Sequence, residues 1–323
     1  MRQSILFSLI ILMLYPLPGY AQRVKGFPVF NTESANINDI CFTSNGELIG
    51  ITDLNSIKVF TTTSRELIAE FKDGHRSDVQ AIDISQDGLL LVSGGRDSTI
   101  VIWDFINKKK LKTLAFHGSI ITSVKISPSS KYLASGGIDK LFIYDIEQER
   151  VIQALDCCDV ITSVAFSPDE KIVASACADK TIYIYETKSG NLITKLKAHK
   201  NWVRGLAFSK DGSKLISGGD DSRIIIWDIS DLNNIKIRSS SKHSFSWILS
   251  VDFNQDNTTY AFGDFNGNTE IIGRFGIYKM NVKSPINKIL FKPNQGSYLI
   301  IAFATRGKGA LIIDAKNMES KSW

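Results

Sequence analysis

One set of polar residues recurs along this chain at fixed intervals. The two complete copies are His75, Ser93, Asp97, Trp103 and His199, Ser217, Asp221, Trp227. The two partial copies are His117, Ser135, Asp139, Tyr144 and Cys157, Ser175, Asp179, Tyr185. In each copy the serine follows the first residue by eighteen positions, and the aspartate follows the serine by four. The starts at 75, 117, 157 and 199 give a period of 40 to 42 residues. Such a period indicates one supersecondary unit, repeated, that cannot bury its apolar face alone.

Each unit contains four short runs in which apolar and polar residues alternate. In the unit that follows His117 these runs span 121–126, 132–137, 142–144 and 150–155. Turn residues such as Pro128 and Asp139 separate them, and no stretch shows a sustained helical period. The pattern predicts a four-stranded antiparallel meander in every unit.

Two dipeptides mark the complete copies. Gly74-His75 precedes Trp103-Asp104, and Ala198-His199 precedes Trp227-Asp228. These residues resemble the signature of WD40 repeats, whose units form the blades of a β-propeller. The resemblance implies an all-β fold, and three degenerate units beginning at 37, 248 and 286 bring the count to seven blades.

The last unit has three strands, and the run 24–30 is left over at the front of the chain. We expect this run to form the fourth, outer strand of the last blade, because closing the ring removes an exposed sheet edge. Pro28 is compatible with an outer edge strand and not with an interior strand.

The first 21 residues have the pattern of a secretory signal peptide. Arg2 gives a positive start, 4–15 are apolar and uncharged, and Ala21 ends a small-residue cleavage motif. The apolar run is short for a membrane span, although an uncleaved anchor is the alternative reading. We therefore expect a signal peptide at 1–21, a propeller at 22–316 and a tail at 317–323. The mature protein would be periplasmic or secreted and would have no transmembrane span.

The resemblance implies that the repeated His, Ser, Asp and Trp or Tyr residues form a structural hydrogen-bonded network within the blades. Their repetition also argues against a catalytic triad, since an enzyme needs one such set. Four histidines leave no spare pair for a metal site, and a formal charge of +5 spread along the chain does not indicate nucleic-acid binding. We expect no catalytic residue, metal or cofactor.

The cysteines lead to a separate hypothesis. Cys157 stands where other units have histidine, Cys158 follows it, and Cys177 lies two residues beyond Ser175. In an oxidising compartment Cys177 could pair with Cys157 or Cys158 and replace the missing His–Ser link. The alternative is that these residues are buried free thiols.

The residue before each first strand and the residue before each turn aspartate should share one rim of the ring. The candidate partner-binding residues on that rim are Ile120, Val160, Trp202, Phe245, Trp247, Arg96 and Asp220. Exposed aromatic residues rimmed by charge are typical of protein interfaces. The alternative is that the tryptophans pack between blades.

These features predict a non-catalytic scaffold that binds another protein or a peptide. Two other readings remain open. One is a hydrolase- or lactonase-like propeller enzyme, and the other is a propeller that binds carbohydrate or the cell envelope through its channel or aromatic rim.

Overall fold

A computed structural model of the chain describes residues 29–138, 140–156, 160–243, 245–274, 276–293, 300–314 and 319–321. Within these ranges every regular element is a β-strand, numbered β1 to β28 in chain order. The predicted signal peptide at 1–21 lies outside the described residues.

The strands form seven antiparallel sheets, or blades, arranged in a ring. Blades 1 to 3 comprise β1 (Ile40–Phe42), β2 (Leu48–Asp53), β3 (Ser56–Thr61), β4 (Leu67–Phe71); β5 (Val79–Ile84), β6 (Leu90–Gly95), β7 (Ile100–Asp104), β8 (Lys109–Leu114); and β9 (Ile121–Ile126), β10 (Tyr132–Gly137), β11 (Leu141–Asp145), β12 (Arg150–Leu155). Blades 4 and 5 comprise β13 (Ile161–Phe166), β14 (Ile172–Cys177), β15 (Thr181–Glu186), β16 (Leu192–Lys197); and β17 (Val203–Phe208), β18 (Lys214–Gly219), β19 (Arg223–Asp228), β20 (Lys236–Lys242). Blades 6 and 7 comprise β21 (Ile248–Phe253), β22 (Tyr260–Asp264), β23 (Asn268–Gly273), β24 (Gly276–Asn281), β28 (Glu319–Lys321); and β25 (Ile286–Phe291), β26 (Ile300–Thr305), β27 (Ala310–Asp314). The expected seven-bladed all-β propeller is confirmed.

Apolar side chains fill the space between neighbouring blades. One buried cluster joins Ala174 and Ile184 of blade 4 to Leu215 and Trp227 of blade 5, and equivalent clusters lie at the other junctions. Because both faces of the two central strands are covered, β10 and β14 are buried along their whole length. Burial on both faces explains why the sequences of these central strands consist almost entirely of apolar and small residues.

The first strand of each blade lines the central channel, and side chains join these inner strands to one another. Polar side chains donate hydrogen bonds to a backbone carbonyl at the start of the next inner strand or shortly before it. The donor and acceptor pairs are Asn38 and Val79, Thr122 and Ile161, Thr162 and Val203, and Asn287 and Ile37. The last pair joins blade 7 to blade 1 at 2.8 Å and so crosses the closure of the ring.

The N-terminal segment closes the last blade. Val29 pairs antiparallel with Leu311 of β27, and the Phe30 N–H donates a 3.1 Å hydrogen bond to the Ala310 carbonyl. Phe30 is fully buried and packs against Phe60 of blade 1, with ring centroids 5.3 Å apart. The outer position on the last blade is therefore occupied as expected, while the rest of the 24–30 run, including Pro28, lies outside the described residues.

The C-terminal segment adds a feature that the sequence did not indicate. Within the tail expected at 317–323, Glu319–Lys321 forms β28 and pairs antiparallel with β24. Blade 6 therefore has five strands, and its outer edge is covered by the chain itself.

Deleting residues 22–30 should lower the melting temperature by about 10 °C, because the Phe30 contacts and the outer strand of blade 7 are lost together. Thermal unfolding monitored by circular dichroism measures the change. Deleting residues 319–323 is the matched control, since it removes an added strand without opening the ring, and its effect should be smaller. An unchanged melting temperature for the 22–30 deletion would contradict closure by this segment.

Candidate functional site

The first complete copy of the repeated residues forms a buried hydrogen-bonded chain. The Trp103 indole N–H donates to the Ser93 hydroxyl at 2.9 Å. His75 Nε2 lies 2.7 Å from the same hydroxyl, and His75 Nδ1 lies 3.1 Å from Asp97 Oδ1. With a neutral imidazole, all three contacts are satisfied when the serine donates to Nε2 and Nδ1–H donates to the aspartate. Ser93 is fully buried, so its hydroxyl is not available to a substrate.

The environment of this chain of hydrogen bonds keeps the histidine neutral and the aspartate ionised. Burial lowers the pKa of His75 and outweighs the opposing effect of Asp97. Burial works to raise the pKa of Asp97, but hydrogen bonds from the Arg76 N–H, Thr99 and His75 lower that pKa overall. Such a satisfied buried network rigidifies the blade.

The other copies repeat this arrangement to different degrees. In blade 5, His199 lies 2.9 Å from Ser217 and 3.0 Å from Asp221, and Trp227 donates to Ser217 at 3.0 Å. In blade 3, His117 Nε2 lies 2.8 Å from the Ser135 hydroxyl. Asp139 lies outside the described residues, and the Tyr144 hydroxyl has no hydrogen-bond partner among those that are described.

Blade 4 has Cys157 in place of the bridging histidine, and this cysteine lies outside the described residues. The Ser175 hydroxyl is buried without a hydrogen-bond partner in the described part of the chain. The Tyr185 hydroxyl donates instead to the Asp156 carbonyl at 3.4 Å, and Asp179 accepts from Tyr183 at 2.6 Å. No hydrogen bond between described residues therefore joins Ser175, Asp179 and Tyr185, and their membership of a network through position 157 stays a prediction.

Cys177, at the end of β14, is disulfide-bonded, and Cys41 is a buried free thiol. The two expected partners of Cys177, Cys157 and Cys158, lie outside the described residues. Its pairing with one of them stays a prediction.

Blade 6 contains a cluster of ion pairs and hydrogen bonds around His243 that was not predicted from the sequence. His243 Nδ1 lies 3.4 Å from Glu270 Oε2 on β23, and Lys279 of β24 forms an ion pair with the same carboxylate. His243 Nε2 lies 2.6 Å from the Ser241 hydroxyl. Phe262 occupies the position that serine has in other blades and packs against the imidazole. The available signal was Glu270, a charged residue inside an otherwise uncharged strand.

The central channel holds a cavity of about 90 Å³ lined mainly by polar side chains of the inner strands. Further along the same strands, Lys125 lies 2.6 Å from Asp83. Asp252 accepts a 2.8 Å hydrogen bond from the Phe291 N–H and forms no ion pair with a described residue. Burial raises the pKa of Asp252 to about 6, and the Phe291 N–H and the Lys288 charge offset this only in part.

The rim residues lie in pairs. In each pair, one residue precedes the turn aspartate or its equivalent, and the other precedes the inner strand. The backbone N–H of the first donates a hydrogen bond of 2.8 to 3.0 Å to the carbonyl of the second. The pairs are Arg96 and Asp78, Ala178 and Val160, Asp220 and Trp202, Phe265 and Trp247, and Arg306 and Pro285. The structure thus brings the two sets of loop positions together on one rim.

The two rim tryptophans are not core residues. Trp247 is 41% exposed and packs against Phe265, with ring centroids 5.2 Å apart. Trp202 is half-buried, and the Arg204 guanidinium stacks over its ring at 4.5 Å. Neighbouring Phe245 is 97% exposed.

Asp220 and Arg96 each lie close to a side chain of opposite charge. Arg204 binds Asp220 through two hydrogen bonds of 2.8 and 2.7 Å. Exposed Arg96 lies 4.0 Å from Asp78.

We define the apolar arc as Ile120, Val160, Trp202 and Trp247, which occupy the same position on blades 3 to 6. Ile120 and Val160 are half-buried. The corresponding residues are Asn36 on blade 1, Asp78 on blade 2 and Pro285 on blade 7. The tryptophans of this position are therefore confined to blades 5 and 6.

The described residues contain no cluster of three or more His, Cys, Asp or Glu side chains placed to hold a metal ion. No helix among them is long and apolar enough to span a membrane.

A sequence model described as WD domain, G-beta repeat, matches residues 65–104, 108–142, 150–186 and 190–228. Each match begins at the outer strand of one blade, or just before it, and extends into the first three strands of the next blade. The sequence repeat is therefore offset from the structural blade, and each repeat covalently joins two blades.

Several curated proteins are similar to this chain. The nuclear distribution protein nudF of Aspergillus niger is 32% identical over 49% of this chain and 41% of its own length. The periodic tryptophan protein 2 homolog of Dictyostelium discoideum is 26% identical over 94% of this chain and 34% of its own length. The small ribosomal subunit protein RACK1y of Oryza sativa subsp. japonica is 28% identical over 56% of this chain and 44% of its own length. The chain thus spans less than half the length of each of these relatives.

The Asp252 carboxylate should destabilise the folded state at neutral pH. Its pKa is higher in the folded state than its ordinary value of 3.8. The folded state is therefore more stable at low pH, where Asp252 is protonated, and loses this stability as pH rises through 6. Asp252→Asn should therefore raise the free energy of unfolding by about 1–2 kcal/mol at pH 8 and change it little at pH 4. Denaturant unfolding at the two pH values measures this difference.

Asp83→Asn is the matched control, because Asp83 occupies the equivalent position in blade 2 but pairs with Lys125. This variant should be destabilised at pH 8, since it leaves a lysine without its partner. A loss of stability for Asp252→Asn at pH 8 would contradict the assignment.

Proposed function

Because the chain is a WD40-repeat β-propeller, we propose that it is a non-catalytic scaffold whose partner, a protein or a peptide, docks on the rim that carries the apolar arc. The observation that carries this proposal is the continuity of the arc. Apolar residues occupy the same rim position on four successive blades, and two of them are incompletely buried tryptophans. Partly exposed apolar and aromatic residues repeated on neighbouring blades in this way are typical of interaction sites.

The arrangement of the rim favours a defined interface over scattered apolar exposure. Trp202 is held by Arg204, which is itself fixed by two hydrogen bonds to Asp220. Tryptophan and arginine are enriched among residues that contribute most to binding. Because these side chains are already ordered, little rotamer freedom remains to be lost when a partner binds.

The buried state of the repeated serines supports a non-catalytic role. Ser93 and Ser217 are fully buried, and each accepts a hydrogen bond from a tryptophan indole. A nucleophile must reach its substrate, so these Ser–His–Asp sets act as bracing.

We also propose that the protein is exported to the periplasm or the extracellular space. The support is the signal-peptide pattern of the first 21 residues together with the disulfide-bonded state of Cys177. Disulfides persist in oxidising compartments and are rare in the cytosol.

Substitution of the rim tryptophans should remove partner binding without unfolding the protein. A random peptide library displayed on phage, selected on the wild-type protein, supplies ligands. Trp202→Ala and Trp247→Ala should each weaken their binding by about 30-fold, as expected for interface residues worth roughly 2 kcal/mol. Ile106→Ala, which truncates an exposed apolar residue away from this rim, is the control and should bind normally. Unchanged affinity in folded tryptophan variants would contradict the proposed interface.

Export and the disulfide can be tested on the same material. The chain secreted by its producing cells, or recovered from their periplasm, should begin at Gln22. Under denaturing, non-reducing conditions Cys41 should be alkylated by iodoacetamide, whereas Cys177 should be alkylated only after reduction. Intact-mass and peptide mass spectrometry distinguish the outcomes. A retained N-terminus, or four alkylated thiols without reduction, would contradict the corresponding proposal.

A further inference from the structure

Arg306 stands at the end of the apolar arc. It occupies the turn position on blade 7 that Phe265 occupies on blade 6, and its backbone N–H donates to the Pro285 carbonyl at 3.0 Å. Its backbone also bridges to Asn36 of blade 1. Arg306 is exposed, and it is the first charged rim position that follows Trp247 and Phe265 around the ring.

The Arg306 side chain is held in place without an ionic partner. Its Nε donates a 2.8 Å hydrogen bond to Asn287 Oδ1, and the amide of Asn287 is fixed in turn by a hydrogen bond to the Ile37 carbonyl. No carboxylate in the described part of the chain forms an ion pair with Arg306. Two other rim arginines differ in this respect, since Arg204 binds Asp220 and Arg96 lies beside Asp78.

The surroundings of Arg306 disfavour its charge. Although the side chain reaches solvent, neighbouring protein atoms partly desolvate its guanidinium and lower the pKa of Arg306, and Arg204 acts in the same direction. Lys288, in the lining of the adjacent channel, is ion-paired with Asp39 at 3.9 Å. An anion placed against Arg306 would stabilise its charge, and a guanidinium whose Nη atoms have no partner among the described residues presents the geometry that binds a carboxylate through two hydrogen bonds.

We propose that the partner segment carries an aspartate or glutamate whose carboxylate binds Arg306, while a neighbouring apolar side chain packs on Trp247. The inference rests on the proposed function and specifies the chemistry of its ligand. Asp220 already neutralises Arg204, whereas the Arg306 guanidinium has no carboxylate partner among the described residues, and its charge matches a single carboxylate.

A charge reversal at position 306 tests this inference. The same phage-displayed peptide library is selected in parallel on the wild-type protein, on Arg306→Glu and on Arg65→Glu. Peptides selected on the wild-type protein should share an acidic residue next to an apolar one. Arg306→Glu should select basic residues at that place instead. Arg65→Glu is the matched control and should keep the acidic preference, because Arg65 is exposed in the turn between β3 and β4, away from this rim.

Individual peptides give the quantitative test. For a selected acidic peptide, Arg306→Gln should weaken binding roughly 10- to 100-fold, as should replacement of the peptide's glutamate by glutamine. The two changes together should cost little more than either one alone, since both remove the same contact. Circular dichroism and the melting temperature establish that each variant is folded.

The possible failures are distinguishable. Selected peptides without an acidic residue, or an acidic preference that survives Arg306→Glu, would overturn this inference and leave the scaffold function standing. No selectable peptide on the wild-type protein would contradict the proposed function, and the inference would fail with it.

Discussion

Contacts between the inner strands of neighbouring blades hold this molecule together. Each blade is a sheet of its own, so the backbone ladders of the blades do not extend around the ring. Polar side chains at the start of the inner strands supply the missing continuity by hydrogen-bonding to the next blade, and apolar clusters fill the space behind them. The channel is polar for this structural reason, and its lining need not serve a ligand.

The fold could be predicted from the sequence because the period reports the repeated unit directly. His75 and His199 could be assigned to their networks because all four residues of each copy are present at the repeated spacing. The rim could be located for the same reason, since the loop before each inner strand keeps its place in the period.

Other features could not be predicted because they depend on contacts between distant or degenerate segments. His243 looked isolated because its carboxylate partner, Glu270, comes from a strand position that is apolar or aromatic in blades 2 to 5 and in blade 7. Arg306 belongs to a unit without a recognisable histidine or tryptophan, so neither its place on the blade next to that of Trp247 nor its lack of an ion pair among the described residues is visible in the sequence. Strand β28 depends on pairing between the C-terminal segment and a blade other than the last.

The offset between sequence repeat and blade has a consequence for how the molecule can come apart. An open solenoid can fray from its ends, because each repeat contacts only its neighbours in a line. Here each repeat lends an outer strand to one blade and three strands to the next, and the N-terminal segment continues this exchange across the seam. No blade is a covalently separate module that could detach intact. Loss of one blade must disturb its neighbours, so the ring should unfold as a single cooperative unit.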